Sequence, residues 1–323
     1  MGYESSRLIE KEDIFMSGKI AVIGSLNMDM VITTPRVPVM GETILGSDFM
    51  TTPGGKGANQ AVAIARLGGE VSMIGCVGHD YLGKDLLDNL SRNHVATDAI
   101  VVRSATSSGI AVIMIKDGDN CIIVDPGANA TLTPELINQS EELIKESALI
   151  VLQLEIPLKT VEEAMKLAKK HGVKILLNPA PAVQLSDDLL SMVDIFTPNE
   201  SECEIITGLE IKDIEDAKKA VHYLHHQKGI PQVIITLGER GVVYNNDSVL
   251  IHKVPPKVTA VDTTAAGDSF TGAITLALAE GKDIDEAVDF GMLVGALTVT
   301  KKGAQTSLPI REEVELFKEQ LKI

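Results

Sequence analysis

The chain has 323 residues, 45% of them hydrophobic and 23% charged, enough for one large α/β domain or two smaller ones and unlike a disordered chain. A formal net charge of −16 disfavours nucleic acid or an anionic membrane as partner, although a cleft can stay locally positive for a phosphorylated ligand. Three scattered cysteines (Cys76, Cys121, Cys203), no readable signal peptide and no apolar run of membrane length point to a reducing cytoplasm rather than a disulfide framework or a membrane span.

Residues 1–17 are polar and precede the first convincing strand, so they read as a disordered or extraneous extension, with Met16 as an alternative start. Gly2 and Ser6 fit a myristoylation pattern formally, but nothing else supports an anchor. The run 20–24 is short, apolar and ends in glycine, as a buried central strand does. Two β-leaning pieces follow at 30–34 and 43–50, separated by Pro35, Pro38 and Gly41. A glycine-rich turn at 54–57 opens a helix that Gly68 and Gly69 stop. Then come a strand at 71–77, a helix at 80–93 and a strand at 99–103. Residues 109–116 and 121–124, split by Asp117-Gly118-Asp119-Asn120, form the clearest hairpin, and its two-sided apolar pattern predicts that both faces are covered.

From Thr133 onward the pattern is βα alternation. Helices are predicted at 133–146, 157–171, 213–228, 265–280, 283–299 and 310–322, and strands at 148–152, 173–177, 193–197, 232–236, 241–244 and 249–254. This is the signature of a doubly wound, mainly parallel sheet with helices on both faces. Residues 18–323 then make one domain. The early β excursions, about 28–50 and 107–125, form a small β lid over the C-terminal strand ends, where such folds bind ligands. His222, His225 and His226 share a helical face, but Lys218, Lys219 and Lys228 mark it as solvated rather than metal-binding.

The stretch 261–273 carries the chemistry. A polar turn runs through Ala265, Ala266 and Gly267 into an apolar helix, which places those residues in a first turn whose N–H groups lack partners. Asp268 stands beside these donors, and a base next to an anion hole is what phosphoryl transfer to an alcohol needs. An Asp there can equally be a dipole partner, with the small residues serving close packing. The turn Gly54-Gly55-Lys56-Gly57-Ala58-Asn59-Gln60 is no Walker A loop, because its spacing is wrong and no Ser or Thr follows the lysine. It still allows close backbone approach to a ligand and presents Lys56 and Asn59 as donors. Asn27 and Asp29, following the first strand, can bind adjacent hydroxyls or form an ordinary Asx turn. Glu155, Asn199 and Glu202 follow later strands, and 236–241 is a glycine turn able to lie against a nucleotide. With no Trp in the chain, a sugar site here does not rest on a tryptophan platform.

Together and in this order, 54–59 and 262–268 resemble the two signatures of the ribokinase (PfkB) carbohydrate kinase family, and the similarity spans 19–322. Ser25-Leu26-Asn27-Met28-Asp29, Gln153-Leu154-Glu155, Asn178-Pro179-Ala180-Pro181-Ala182, Thr197-Pro198-Asn199-Glu200 and Lys302-Gly303-Ala304-Gln305 also match, nearest the ribose-phosphorylating members. The resemblance implies ATP-dependent phosphorylation of D-ribose at O5 to D-ribose 5-phosphate. It assigns Asp268 as the base and the amides of Ala265, Ala266 and Gly267 as the anion hole. Asn27, Asp29, Gly55, Lys56, Asn59 and Glu155 would hold the sugar, with Met28, Gly57 and Ala58 in the same stretches. Asn199, Thr236, Leu237, Gly238, Glu239, Arg240, Gly241 and Gly267 would line the ATP site, Met292 would touch adenine, and Glu202 would place Mg²⁺ through water. A K⁺ site is implied at Asp262, Thr264, Thr298, Lys301, Gly303 and Ser307, mostly through carbonyls, and so is a homodimer through the lid. Thr264 and Met292 depart from the usual side chains. The rivals are another pentose or nucleoside kinase, such as a deoxyribokinase, and a non-catalytic sugar or nucleotide sensor, against which an intact Asp268 argues.

Overall fold

The computed structural model describes residues 18–117 and 119–322, so the expectations for the N-terminal extension lie outside the described residues. Seven strands of the main sheet are parallel: β1 (Ile20–Ile23), β4 (Val71–Gly78), β5 (Ile100–Arg103), β8 (Leu149–Leu152), β9 (Lys174–Leu177), β10 (Ile195–Phe196) and β11 (Gln232–Thr236). β12 (Val242–Asn246) and β13 (Val249–Lys253) complete nine strands in the order β13-β12-β11-β10-β9-β8-β1-β4-β5. The alternation predicted for 133–322 fails here, because β11, β12 and β13 pair antiparallel. The links 237–241 and 247–248 are far too short for the crossover a parallel neighbour needs.

β1 shows why the sheet is buried on both sides. Ala21 and Ile23 enter one core, and Ile20 and Val22 enter the other. Period-two alternation of apolar residues on both faces is what a parallel strand between two helical layers requires. The helices are α1 (Lys56–Arg66), α2 (Tyr81–Arg92), α3 (Pro134–Gln139), α4 (Glu141–Lys145), α5 (Leu158–His171), α6 (Asp187–Leu190), α7 (Glu200–Thr207), α8 (Ile214–His226), α9 (Ala266–Ala279), α10 (Ile284–Thr298) and α11 (Arg311–Leu321). The helix expected at 133–146 is two, broken at Ser140, and α6 and α7 are shorter than periodicity alone resolves.

The lid is a separate four-stranded sheet, β3-β2-β6-β7, made of β2 (Asn27–Thr33), β3 (Ser47–Gly54), β6 (Gly109–Lys116) and β7 (Asp119–Asp125). Asn27 and Asp29 sit on the first lid strand, extended rather than in an Asx turn, and one expectation changes: β3 continues past residue 50 to Gly54, delivering the glycine-rich turn directly from the lid. The hairpin is not covered on both faces within the chain: Ile122, Ile123 and Val124 on β7 are 51%, 60% and 46% exposed. Among the described residues no helix is long and apolar enough to cross a membrane, and no group of three or more His, Cys, Asp or Glu is placed to hold a metal ion.

Candidate active site

Glu155, just beyond β8, staples the glycine-rich turn to the main sheet. Its Oε2 accepts from the Ser25 hydroxyl and from the Lys56 amide at 3.2 Å, and Ser25 Oγ accepts from Gly57 N at 3.3 Å. A carboxylate on the open N–H groups at the start of α1 is favoured by the helix dipole. Gly55 holds φ +89°, and a Cβ there would stand 2.7 Å from the Asn27 amide nitrogen, so no side chain fits between turn and lid strand. Asn27 Oδ1 accepts from Asn129 Nδ2 at 2.8 Å, and Asn129 also bonds both backbone groups of Leu26. Met28 and Ala58 turn into the core, so they back the site rather than line it.

Asp29 is buried in this wall. Burial first, then the nearby Glu155 and Asp268 charges, push its carboxyl up to about 7. Burial also works against the Lys56 ammonium, but Asp268, Glu155 and Glu202 together outweigh it and raise its pKa, so Lys56 is held charged. The cleft thus gathers hydroxyl acceptors around one cation.

The opposite wall is the start of α9. Ala265 is not in the first turn as expected: it caps the helix with a left-handed φ of 60°, and α9 begins at Ala266. The Ala266 amide is directed to Thr263 O at 3.3 Å, so of the three expected donors it is already engaged. Nothing stands within 4 Å of where a Cβ would project from Gly267, so the helix start opens on free space. Asp268 is only 7% exposed, and its oxygens accept from Asn59 Nδ2 (2.9 Å) and Gln60 Nε2 (3.0 Å). α1 can deliver those amides because it lies tight against α9: a Cβ on Gly272 would come within 2.7 Å of Ala63 Cβ.

Asn199 and Glu202 form a capping box on α7, each side chain bonding the other's backbone N–H, and burial raises the pKa of Glu202. Thr236 N donates to Pro198 O at 3.0 Å, which lays the 236–241 turn against Asn199. In that turn Leu237 points into the core, and Arg240 is held by Glu200 and Lys212 O. Gly238, Glu239 and Gly241 offer mainly backbone, and Met292 is buried on α10. Asp262 links the remaining stretches: Oδ1 accepts from Thr264 N and Oγ1, and Oδ2 from Gly303 N, all within 2.9 Å. These bonds outweigh its partial burial and lower its pKa. The hydroxyls of Thr298 and Ser307 donate to Val294 O and Ala304 O, and the Lys301 ammonium pairs with Glu313, so Lys301 can offer a cation only its backbone.

Residues 17–311 match the profile of the pfkB family carbohydrate kinases. The chain belongs to that family. The kinase is 46% identical over 305 residues to the ribokinase of Haemophilus influenzae, covering 94% of this chain and 99% of that protein. It is 39% identical over 306 residues to a deoxyribokinase of Salmonella typhimurium, with the same shares covered. Arabidopsis thaliana ribokinase, solved complexed with ribose and ATP, superposes with a TM-score of 0.88 at 34% identity, covering 94% of this kinase and 99% of the plant chain. Sequence reasoning gave no role to Ser25, Gln60, Asn129, Gln153, Asn178 or Gln305. All but Asn129 lie inside the matching motifs, and polar residues recurring beside strand ends were the signal available.

Proposed function

We propose that this kinase transfers the γ-phosphoryl group of ATP to O5 of D-ribose, giving D-ribose 5-phosphate and ADP. The observation that carries the reading is the placement of Asp268. Its carboxylate is buried, held at both oxygens, in a cleft shared with Asp29, Lys56 and Glu155, at the open end of α9. As O5 bonds to phosphorus and the bond to the ADP oxygen breaks, the O5 proton passes to Asp268. Charge on the transferring oxygens meets the Gly267 N–H and the α9 dipole. Asn27, Asp29, Lys56, Asn59 and Glu155 hold the sugar hydroxyls, while Asn199 and the turn 236–241 line the nucleotide.

Glu202 faces the phosphate side and would hold Mg²⁺ through water, whose role is to neutralise phosphate charge. A carboxylate with backbone carbonyls is a hard-cation donor set, and Asp262 already joins Thr264 to Gly303, which supports a K⁺ site there. The exposed apolar lid supports a homodimer formed through it.

A second reading, deoxyribose phosphorylation, is favoured by the Salmonella relative. Asp29 argues for ribose, because a buried carboxylate set for vicinal hydroxyls loses a partner when one hydroxyl is missing. An ADP-coupled assay over pentoses, hexoses and nucleosides tests both: the highest kcat/KM is expected for ribose, and a preference for 2-deoxyribose would reverse the assignment.

A further inference from the structure

Asp268 is the terminus of two separate chains of side-chain amides, one ending on each carboxylate oxygen. In the first, Gln153 Nε2 donates to Gln60 Oε1 at 2.6 Å, and Gln60 Nε2 donates both to Asp268 Oδ1 (3.0 Å) and to Asn178 Oδ1 (3.1 Å). Asn178 in turn donates to Thr197 O at 2.9 Å. In the second, Asn89 Nδ2 donates to Gln305 Oε1, Gln305 Nε2 to Asn59 Oδ1 (3.1 Å), and Asn59 Nδ2 to Asp268 Oδ2 (2.9 Å). Gln60 is fully buried, and Gln305 and Asn59 nearly so.

An amide inside such a chain has one allowed orientation. Because Gln153 delivers a hydrogen to Gln60 Oε1, Gln60 has to present its Nε2 to Asp268. Because Asn89 delivers one to Gln305 Oε1, Gln305 has to present Nε2 to Asn59, which turns the Asn59 amide nitrogen toward the carboxylate. The two arms reach opposite oxygens and so fix the plane of the carboxylate, leaving lone pairs for an incoming hydroxyl. Amides do this without the cost an ammonium or guanidinium would carry: a counter-ion at contact distance would hold the carboxylate's charge and weaken it as a base. The arms also come from different parts of the fold. One crosses the ends of β8, β9 and β10, and the other joins α2 to the segment 302–307, whose Gly303 bonds Asp262.

We propose that Gln60 and Gln305 are positioning residues for the phosphoryl-transfer step, setting the orientation of the Asp268 carboxylate from two independent sides. The proposal rests on Asp268 being the base, so the test separates the two. Gln60→Met and Gln305→Met keep side-chain length and remove the donor. Each is expected to lower kcat ten- to a hundredfold while the KM for ribose moves less than about threefold, since misorientation of a reacting group by about an ångström carries a penalty of that size. In an Asp268→Asn background the same changes should cause no further loss of residual turnover, because no carboxylate is left to orient. A role limited to holding α1 against α9 predicts otherwise: kcat and the ribose KM worsen together, and the loss persists in the Asp268→Asn background. Either that pattern or full kcat in both folded variants overturns the proposal. Wild-type turnover by Asp268→Asn itself removes the base assignment instead. Should Gln60→Met not fold, as judged by circular dichroism, Gln305→Met carries the test from outside any helix.

Discussion

Asp268, held at both oxygens by amides, is the carboxylate of the cleft whose loss is simplest to read. Replacing it with Asn keeps the shape and removes the proton acceptor, so kcat should fall by about a thousandfold, in the range for a general base, while calorimetric ribose affinity stays within a few-fold. Asp29 makes a different prediction. Its carboxyl is pushed up to about 7, so free enzyme below that pH carries it neutral, whereas holding sugar hydroxyls uses the ionised form as acceptor. Ribose affinity should therefore rise with pH up to about 7 and level off above it, with proton release on binding at pH 6 when titrated in buffers of different ionisation enthalpy. Asp29→Asn should bind more weakly and without that dependence; an unchanged slope in the variant would assign the titration to another group. The residues that make these predictions stood in recognisable motifs. Their amide partners stood in the same motifs without a readable role, because which way Gln60 or Gln305 points is decided by hydrogen bonds between segments far apart in sequence.

At the scale of elements, most helices and parallel strands were legible from apolar period and from glycine and proline punctuation. What failed were features fixed by neighbours: the antiparallel β11–β13 meander, the extension of β3 into the glycine-rich turn, and the start of α9 one residue late at the left-handed Ala265. The contact between α1 and α9 was equally hidden, since nothing in a single sequence says that Gly272 faces Ala63 and the Gln60 carbonyl. That contact sets the reach of both amides to Asp268. Gly272→Ala should separate the helices, lower stability by about 1–3 kcal/mol as overpacking does, and reduce kcat beyond what the loss of folded protein explains. Thermal melts paired with kcat per folded molecule check it; a melting shift with normal kcat would mean the helices can part without moving Asn59 or Gln60. Asp262 is the matching device at the other end of the turn. Activity from a cation-stripped start should depend on K⁺ over Na⁺, and Asp262→Ala should remove that preference along with most of the rate. Equal rates in the two salts would leave Asp262 as a hydrogen-bonding tie and nothing more.

For the whole molecule, the small sheet is the feature whose outer surface is left apolar. Strand register puts Asp29, Ala111 and Val124 in one row across the sheet and Val31, Ile113 and Ile122 in the next row on the same face, with Met50 beside Val31. The face that carries Asp29 therefore continues outward as an apolar strip, and Ile122 and Met50 on it are about half exposed, at 51% and 50%. Covering the exposed half of each such side chain is worth roughly 1 kcal/mol, so a second copy of the chain laid against the strip would gain stability and exclude water from the surface around Asp29 at once. Sedimentation velocity of the wild type at micromolar concentration should show a dimer. Ile122→Glu, which places a charge in the middle of the strip, should weaken association at least a hundredfold, equivalent to about 2.7 kcal/mol. Because the same strip borders Asp29, the monomeric variant should also show a raised KM for ribose with kcat per bound substrate much less affected. A wild-type chain that sediments as a monomer, or an Ile122→Glu variant that stays dimeric with an unchanged KM, would separate the lid's apolar face from both assembly and sugar binding.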